Sequence, residues 1–250
     1  MKSTSHFAMG HLLYEALQSR GIYLNRIAFV YGNIAPDYAP TMLVPTHFGK
    51  ACTRAIDDIA NELSEHYLND TGRVSAEYSK QLGIMCHFIC DYFCFAHNKD
   101  FSGNLKQHMA YENRLDLFLR RCCVKMYENK ESAANSFFDL DGNSEIQLSG
   151  STKNLSMDID SLKSDYLSLG NTFRNDLSFA FDTCMLSISS IIAMSKKVVP
   201  HHSDVWIDEL LAPLKGYATG NNLVFRMFFF KNRNNNIFFL PELIPPLRAF

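Results

Sequence analysis

Residues 82–112 constrain the fold of this chain more than any other stretch. Their sequence is LGIMCHFICDYFCFAHNKDFSGNLKQHMAYE. His87 and Asp91 are four residues apart, and so are His108 and Glu112. On an α-helix this spacing puts both side chains of a pair on one face, one turn apart. The stretch therefore predicts two helices, each of which presents an imidazole beside a carboxylate.

Imidazole and carboxylate groups arranged in this way are suitable zinc ligands. Four further candidate ligands are present: His97 lies between the two pairs, and His6, Asp37 and His47 lie upstream. A single histidine on an apolar face is more often a core residue than a ligand, so the interpretation depends on the whole set. Eight nitrogen and oxygen ligands in the first half of the chain exceed what one closed tetrahedral site uses. They predict a site for two or three metal ions.

Apolar residues recur with helical spacing along most of the chain, and glycines and prolines separate the segments. With 250 residues, 47% of them hydrophobic, the chain can bury one sizeable core. We predict an all-α protein, a compact multi-helix bundle with a metal cluster in a cleft. The first helix should be amphipathic, with its apolar side chains near one face. The predicted helices cover residues 5–18, 24–31, 50–69, 74–97, 105–128, 157–169, 176–197 and 203–214.

The predicted organisation is one helical domain, residues 1–220, with a polar loop at about 129–156 that is rich in Asn, Ser, Asp and Gly. In residues 221–250 two aromatic runs flank an Asn-rich turn, which predicts a short hairpin or an apolar arm. We expect this arm to pack on the helical domain. The apolar window 177–194 contains Asp182 and several serines, so we expect a buried helix there rather than a membrane span.

Charge and cysteine content narrow the possible classes of protein. A net charge of −2 and a pI near 6.5 give no sign of the basic surface of a duplex-DNA-binding protein. Cys86, Cys90 and Cys94 recur every four residues. They could form a second metal site, but we expect them to be buried small apolar side chains. No secretory signal is readable, so we expect a cytoplasmic protein, or a secreted one if the sequence lacks its leader.

These motifs resemble those of the bacterial zinc-dependent phospholipase C family, a helical family with a trinuclear zinc site. The run H-x-x-x-D-x-x-x-x-x-H followed by H-x-x-x-E carries the resemblance. Three upstream segments support it: Ser-His at 5–6, GNIAPD at 32–37 and THF at 46–48. The resemblance covers residues 1–115 and implies a phospholipase C/nuclease-like bundle.

The resemblance also implies which residues bind each metal ion. Four side chains would hold one zinc: Asp37, His47, His87 and Asp91. Three would hold a second: His97, His108 and Glu112. Asp91 would also bridge to a third zinc shared with His6, for which His11 is the alternative. In secreted family members an N-terminal tryptophan completes the third site, whereas the single tryptophan here is Trp206. The number of zinc ions, two or three, therefore stays open.

The activity implied is hydrolysis of a phosphodiester, first of all a phospholipid, to give diacylglycerol and a phosphorylated headgroup. Clustered divalent ions suit this reaction because they neutralise phosphate charge and bring the pKa of bound water near neutrality. Asp37 is the candidate catalytic base, because one of its carboxylate oxygens could stay clear of the metal. The expected partners are a phospholipid or another phosphodiester, with a peripheral membrane contact and no duplex nucleic acid. The oligomeric state is not predicted.

Two other functions fit the sequence. A single-strand nuclease or nucleotidase family has a similar fold and metal layout, but it closes its last ligand pair with H-x-x-x-D, whereas His108 and Glu112 form H-x-x-x-E. A non-catalytic helical protein could use zinc for folding alone. Such a protein would hold one zinc in a closed site and would hydrolyse nothing.

Overall fold

The computed structural model of the protein describes residues 1–38, 49–65, 74–129, 155–195, 224–231 and 237–244. The described residues form an α-helical body and one β-hairpin, so the predicted all-α bundle is confirmed. The helices are α1 (Ser3–Ser19), α2 (Arg26–Ile34), α3 (Gly49–Glu65), α4 (Ala76–Tyr92), α5 (Leu105–Asn129), α6 (Leu155–Ser168) and α7 (Phe173–Met194). Two 3₁₀ turns, Ala35–Tyr38 and Phe95–His97, follow α2 and α4. Three predicted features lie outside the described residues: His47, most of the polar loop, and the helix at 203–214.

Helix α1 runs through the interior. Every residue from Ser5 to Leu17 is buried, including His6, His11 and Glu15. The prediction of a helix is correct here, but the prediction of an amphipathic one is wrong, because polar side chains are buried on all sides. Buried polar groups require partners inside the protein. The polar side chains of α1 therefore point to a polar site in the interior.

Helices α2 and α4 share the most extensive helix–helix contact among the described elements. Two glycines permit it. A Cβ added at Gly83 would lie 2.2 Å from the carbonyl oxygen of Phe29, and one added at Gly32 would lie 2.1 Å from that of Lys80. Both distances are far inside van der Waals contact, so only glycine allows the two backbones to approach this closely.

Helix α4 ends at Tyr92, five residues before the end that the sequence predicts. The backbone N–H of Cys94 donates to the Asp91 carbonyl at 3.1 Å, which tightens the last turn. The next N–H, that of Phe95, donates to the Asp176 carboxylate at 3.1 Å. Because a side chain from α7 accepts this bond, the chain leaves the helix and forms the separate 3₁₀ turn.

Helix α7 is long and apolar enough to cross a membrane by length and composition, but 67% of its most apolar window is buried inside the protein. This burial confirms the prediction of a core helix for residues 177–194. C-terminal to α7, strand β1 (Val224–Lys231) pairs antiparallel with β2 (Ile237–Ile244). The hairpin was one of the two forms predicted for the arm, and its packing on the helical domain stays a prediction.

Candidate metal centre

The first of two ligand clusters joins α1 and α4. His6, His87 and Asp91 are all buried, and each offers a ligand atom within 4.8 Å of the other two. His6 Nε2 lies 3.1 Å from Asp91 Oδ1, and His87 Nε2 lies 3.4 Å from Asp91 Oδ2. The two imidazole rings stack with their centroids 3.9 Å apart. One turn of α4 and the first turns of α1 thus bring three ligand groups to one point.

Helix α2 orients the ligands of this first cluster. His87 Nδ1 lies 2.9 Å from the backbone carbonyl of Asn33, to which it donates, so Nε2 is the nitrogen that faces the carboxylates. Such a backbone contact fixes the tautomer of many metal-bound histidines. Asp37, in the 3₁₀ turn after α2, places Oδ1 3.9 Å from His87 Nε2. Its buried Oδ2 has no hydrogen-bond partner among the described residues. The gap between Asp37 Oδ1 and His87 Nε2 fits a bound cation, which would leave Oδ2 free of the metal.

The second cluster lies where α5 begins. Asn104 and Gln107 cap this helix reciprocally: Gln107 N–H donates to Asn104 Oδ1 at 3.1 Å, and Asn104 N–H to Gln107 Oε1 at 2.8 Å. Glu112 Oε1 then lies 3.0 Å from His97 Nε2 and 3.2 Å from His108 Nε2. Two ligands on a tetrahedral zinc are about 3.3 Å apart when each bond is near 2.0 Å. The observed spacing therefore fits a zinc ion.

Asp91 connects the two clusters. Its Oδ1 faces His6 and accepts a hydrogen bond from the amino group of Met1, whereas its Oδ2 faces His87 and lies 3.8 Å from His97 Nδ1. The Met1 amino group also lies 3.2 Å from His97 Nε2. A carboxylate whose two oxygens face different imidazoles has the geometry required of a bridging ligand.

Both carboxylates of the centre are held in their ionised form. Burial opposes ionisation of Asp91, but the neighbouring histidines and amino group outweigh it and hold the pKa of Asp91 well below its usual range. Burial also opposes ionisation of Glu112, yet the hydrogen bond from His97 and nearby positive charge lower its pKa to about 2. Burial disfavours charged His6 as well, and the Asp91 carboxylate outweighs it, raising the His6 pKa to about 9. Both carboxylates are therefore anionic at neutral pH, as metal ligands must be.

A buried carboxylate on α7 holds the second cluster in place. Asp176 accepts hydrogen bonds from the backbone N–H of Phe95 at 3.1 Å and from the hydroxyls of Tyr111 and Tyr166, both at 2.8 Å. These donors belong to the turn that carries His97, to α5 and to α6. One side chain of α7 thus fixes the relative positions of three elements around the centre.

A pocket of about 520 Å³ opens beside His97. Lys163 crosses its wall and donates hydrogen bonds to the Tyr92 carbonyl and the Asn98 side chain. Burial lowers the pKa of Lys163 to about 8, and its ammonium lies 4.4 Å from the centroid of the Tyr166 ring. A pocket of this size is within the range of small-ligand sites.

The family can be assigned from this geometry and from sequence comparison together. The model of the family described as zinc dependent phospholipase C matches residues 5–170. The chain belongs to the zinc-dependent phospholipase C family. The match extends past the 1–115 region that carries the resemblance and includes all of α5 and α6. No significant match is found among curated proteins or among solved structures.

The structure brings together most of the residues that the sequence predicts for the zinc centre. Seven of the eight lie in the two clusters or at their edge, and the eighth, His47, lies outside the described residues. His11 is buried against Phe7, with ring centroids 4.6 Å apart, so His6 and not its alternative occupies the cluster. That these side chains bind zinc stays a prediction.

Sequence reasoning missed two supporting residues, Asn33 and Asp176, because each acts through a contact with a distant part of the chain. No local pattern marks them. For Cys94, which lies within the motif between Asp91 and His97, the sequence left a metal site open but favoured a buried apolar side chain.

Proposed function

We propose that this chain is a zinc-dependent phosphodiester hydrolase of the phospholipase C type, with two or three zinc ions in the centre. The observation that carries the proposal is the convergence of two ligand clusters on the single carboxylate of Asp91. A protein that needed one zinc for folding would be served by four ligands. Seven candidate ligands, among which the carboxylate of Asp91 connects the two clusters, support a centre of several ions.

The donor set suits zinc because it combines neutral imidazoles with carboxylates. Asp37, His87 and Asp91 would hold one ion, His97, His108 and Glu112 a second, and Asp91 with His6 a third. Zinc bound there would neutralise phosphate charge and lower the pKa of a bound water toward neutrality. His47 is assigned to the first ion by the family resemblance alone.

Asp37 is the proposed general base. Its Oδ2, which has no hydrogen-bond partner among the described residues, can take a proton from the attacking water. The water oxygen then bonds to phosphorus while the bond from phosphorus to the glycerol oxygen breaks. The phosphate stays on the headgroup, and the leaving glycerol oxygen becomes a hydroxyl of diacylglycerol. The proton that Asp37 takes from the water balances the proton that this hydroxyl gains.

The pocket beside His97 supports a phosphodiester substrate. It is open next to the second cluster, and Tyr92, Asp160 and Lys163 contribute an aromatic ring and both signs of charge to its walls. The aromatic ring can bind a cationic headgroup by a cation–π interaction, and the charged side chains can pair with headgroup charges of opposite sign. A peripheral membrane contact and a cytoplasmic location remain predictions.

The test is elemental analysis of the purified protein together with hydrolysis assays. Wild type should carry at least two zinc ions per chain and should release phosphorylated headgroup from phospholipid vesicles or a short-chain diester. Asp91→Asn should lose activity by several orders of magnitude, since it removes charge from the ligand that connects both clusters. Asp165→Asn, at an exposed position of α6, is the matched control and should keep full activity.

The outcomes separate the competing functions. One zinc or none, with no turnover of any diester, would refute the hydrolase and leave a structural role for the metal. Faster cleavage of single-stranded nucleic acid than of phospholipid would retain the metal centre but assign the chain to the nuclease type.

A further inference from the structure

Cys94 lies between two residues of the metal centre. Its N–H donates to the carbonyl of Asp91 at 3.1 Å, and its own carbonyl accepts the N–H of His97 at 2.9 Å. The short connection after α4 therefore links the backbone of Cys94 to both of these residues. Cys94 Sγ, a ring nitrogen of His97 and a carboxylate oxygen of Glu112 all lie within 4.8 Å of one another.

The thiol of Cys94 differs in its surroundings from those of Cys52 and Cys184, two other buried cysteines. Cys52 donates a hydrogen bond to the Phe88 carbonyl at 3.2 Å, and Cys184 donates to that of Cys86 at 3.7 Å. Within the described ranges Cys94 has no such bond. Its side chain is fully buried and faces a histidine and a carboxylate. An apolar role explains why Cys94 is buried, but it does not explain why two candidate metal ligands lie next to its thiol.

We infer that Cys94 is a thiolate ligand of the zinc ion held by His97, His108 and Glu112. The inference rests on the proposed zinc centre and deepens it. His97 and Glu112 lie with Cys94 in one group, and His108 adjoins it through Glu112 Oε1 at 3.2 Å. The four side chains together would supply four protein ligands, and a zinc with four protein ligands has no open position. The ion at the second cluster would then orient and stabilise the site, and the water that attacks the substrate would belong to the first cluster, where Asp37 lies.

Cobalt substitution tests the assignment without relying on activity. The full-length protein is stripped with a chelator, reloaded with Co²⁺, and examined by electronic absorption. A cysteine ligand gives an intense near-ultraviolet band from sulfur-to-cobalt charge transfer, which nitrogen and oxygen ligands do not give. We expect this band in wild type and in Cys52→Ser, and its loss in Cys94→Ser. Cys94→Ser should also weaken zinc binding at one site by about tenfold or more in chelator competition.

A measurement on wild type covers the case in which Cys94→Ser fails to fold. Zinc X-ray absorption should show a sulfur neighbour at about 2.3 Å, and Cys90→Ser, the nearest alternative sulfur in sequence on α4, should leave it in place. Two or more bound metals with no sulfur signal would overturn the inference and leave the proposed hydrolase intact. A sulfur signal that survives in Cys94→Ser or disappears in Cys90→Ser would overturn it too. A chain that binds no metal at all would refute the proposed zinc centre itself.

Discussion

Replacing Gly83 by alanine tests whether the contact between α2 and α4 builds the metal centre. The added Cβ would lie 2.2 Å from the carbonyl oxygen of Phe29, whereas a carbon and a carbonyl oxygen in contact are about 3.3 Å apart. The helices must therefore separate by about 1 Å at this point. His87 lies one turn further along α4 and is bound to Asn33 of α2 at 2.9 Å, so the same shift breaks that bond.

The expected change in the free energy of unfolding can be worked from these contacts. Overpacking costs about 1–3 kcal/mol, and the lost hydrogen bond of His87 costs about 1 kcal/mol. Alanine in place of glycine within a helix offsets about 1 kcal/mol. The net loss is about 1–3 kcal/mol, the sum of these terms. Zinc ligands tolerate displacements of only about 0.2 Å, so zinc content should fall as well.

The assay is urea unfolding of Gly83→Ala with and without a chelator, followed by elemental analysis. Gly10→Ala is the matched comparison: it too places an alanine in a buried helix, but its Cβ would meet atoms of the Asn33 side chain at 3.2 Å, so a shift of a few tenths of an ångström suffices and both losses should be clearly smaller. The sign of the effect decides the matter. If Gly83→Ala were more stable than wild type and kept its zinc, helix propensity would outweigh the steric argument and the reasoning would be refuted.

Two further predictions concern the α7 carboxylate and the protonation of the centre. Asp176→Asn should lower the free energy of unfolding by about 2–3 kcal/mol, because an amide NH₂ would face hydrogen-bond donors that now donate to the carboxylate. Zinc content should fall as well, whereas the control Asp165→Asn should change neither quantity. Denaturant unfolding and elemental analysis would check both. The zinc-free protein should lose about 3 kcal/mol of stability as the pH rises from 6.5 through about 9, since the raised pKa of His6 gives stability that is fully present below 6.5 and disappears above 9. Zinc displaces that proton, so the zinc-loaded protein should not show this loss of stability. If the free energy of unfolding changed with pH in the same way with and without chelator, the assignment of His6 as a zinc ligand would be contradicted.

The sequence predicts those parts of the centre that a single helix fixes. His87 and Asp91 lie on one face of α4, and His108 and Glu112 on one face of α5, because four-residue spacing alone determines this. It does not predict the distances between helices, which depend on glycine contacts such as that at Gly83. The burial of α1 on all sides is likewise invisible in a pattern that shows only one apolar face.

The break after Tyr92 shows most clearly what local spacing cannot supply. Had α4 continued, His97, six residues beyond Asp91, would lie about 9 Å further along the axis and about 120° away around the helix. The two clusters would then face different sides. In the structure His97 Nδ1 is 3.8 Å from Asp91 Oδ2, because the chain turns back after the helix ends. The bond from Phe95 N–H to Asp176 stabilises that turn, and Asp176 lies far outside the motif. The ligands of the second cluster are therefore encoded in residues 97–112, but their meeting with the first depends on α7.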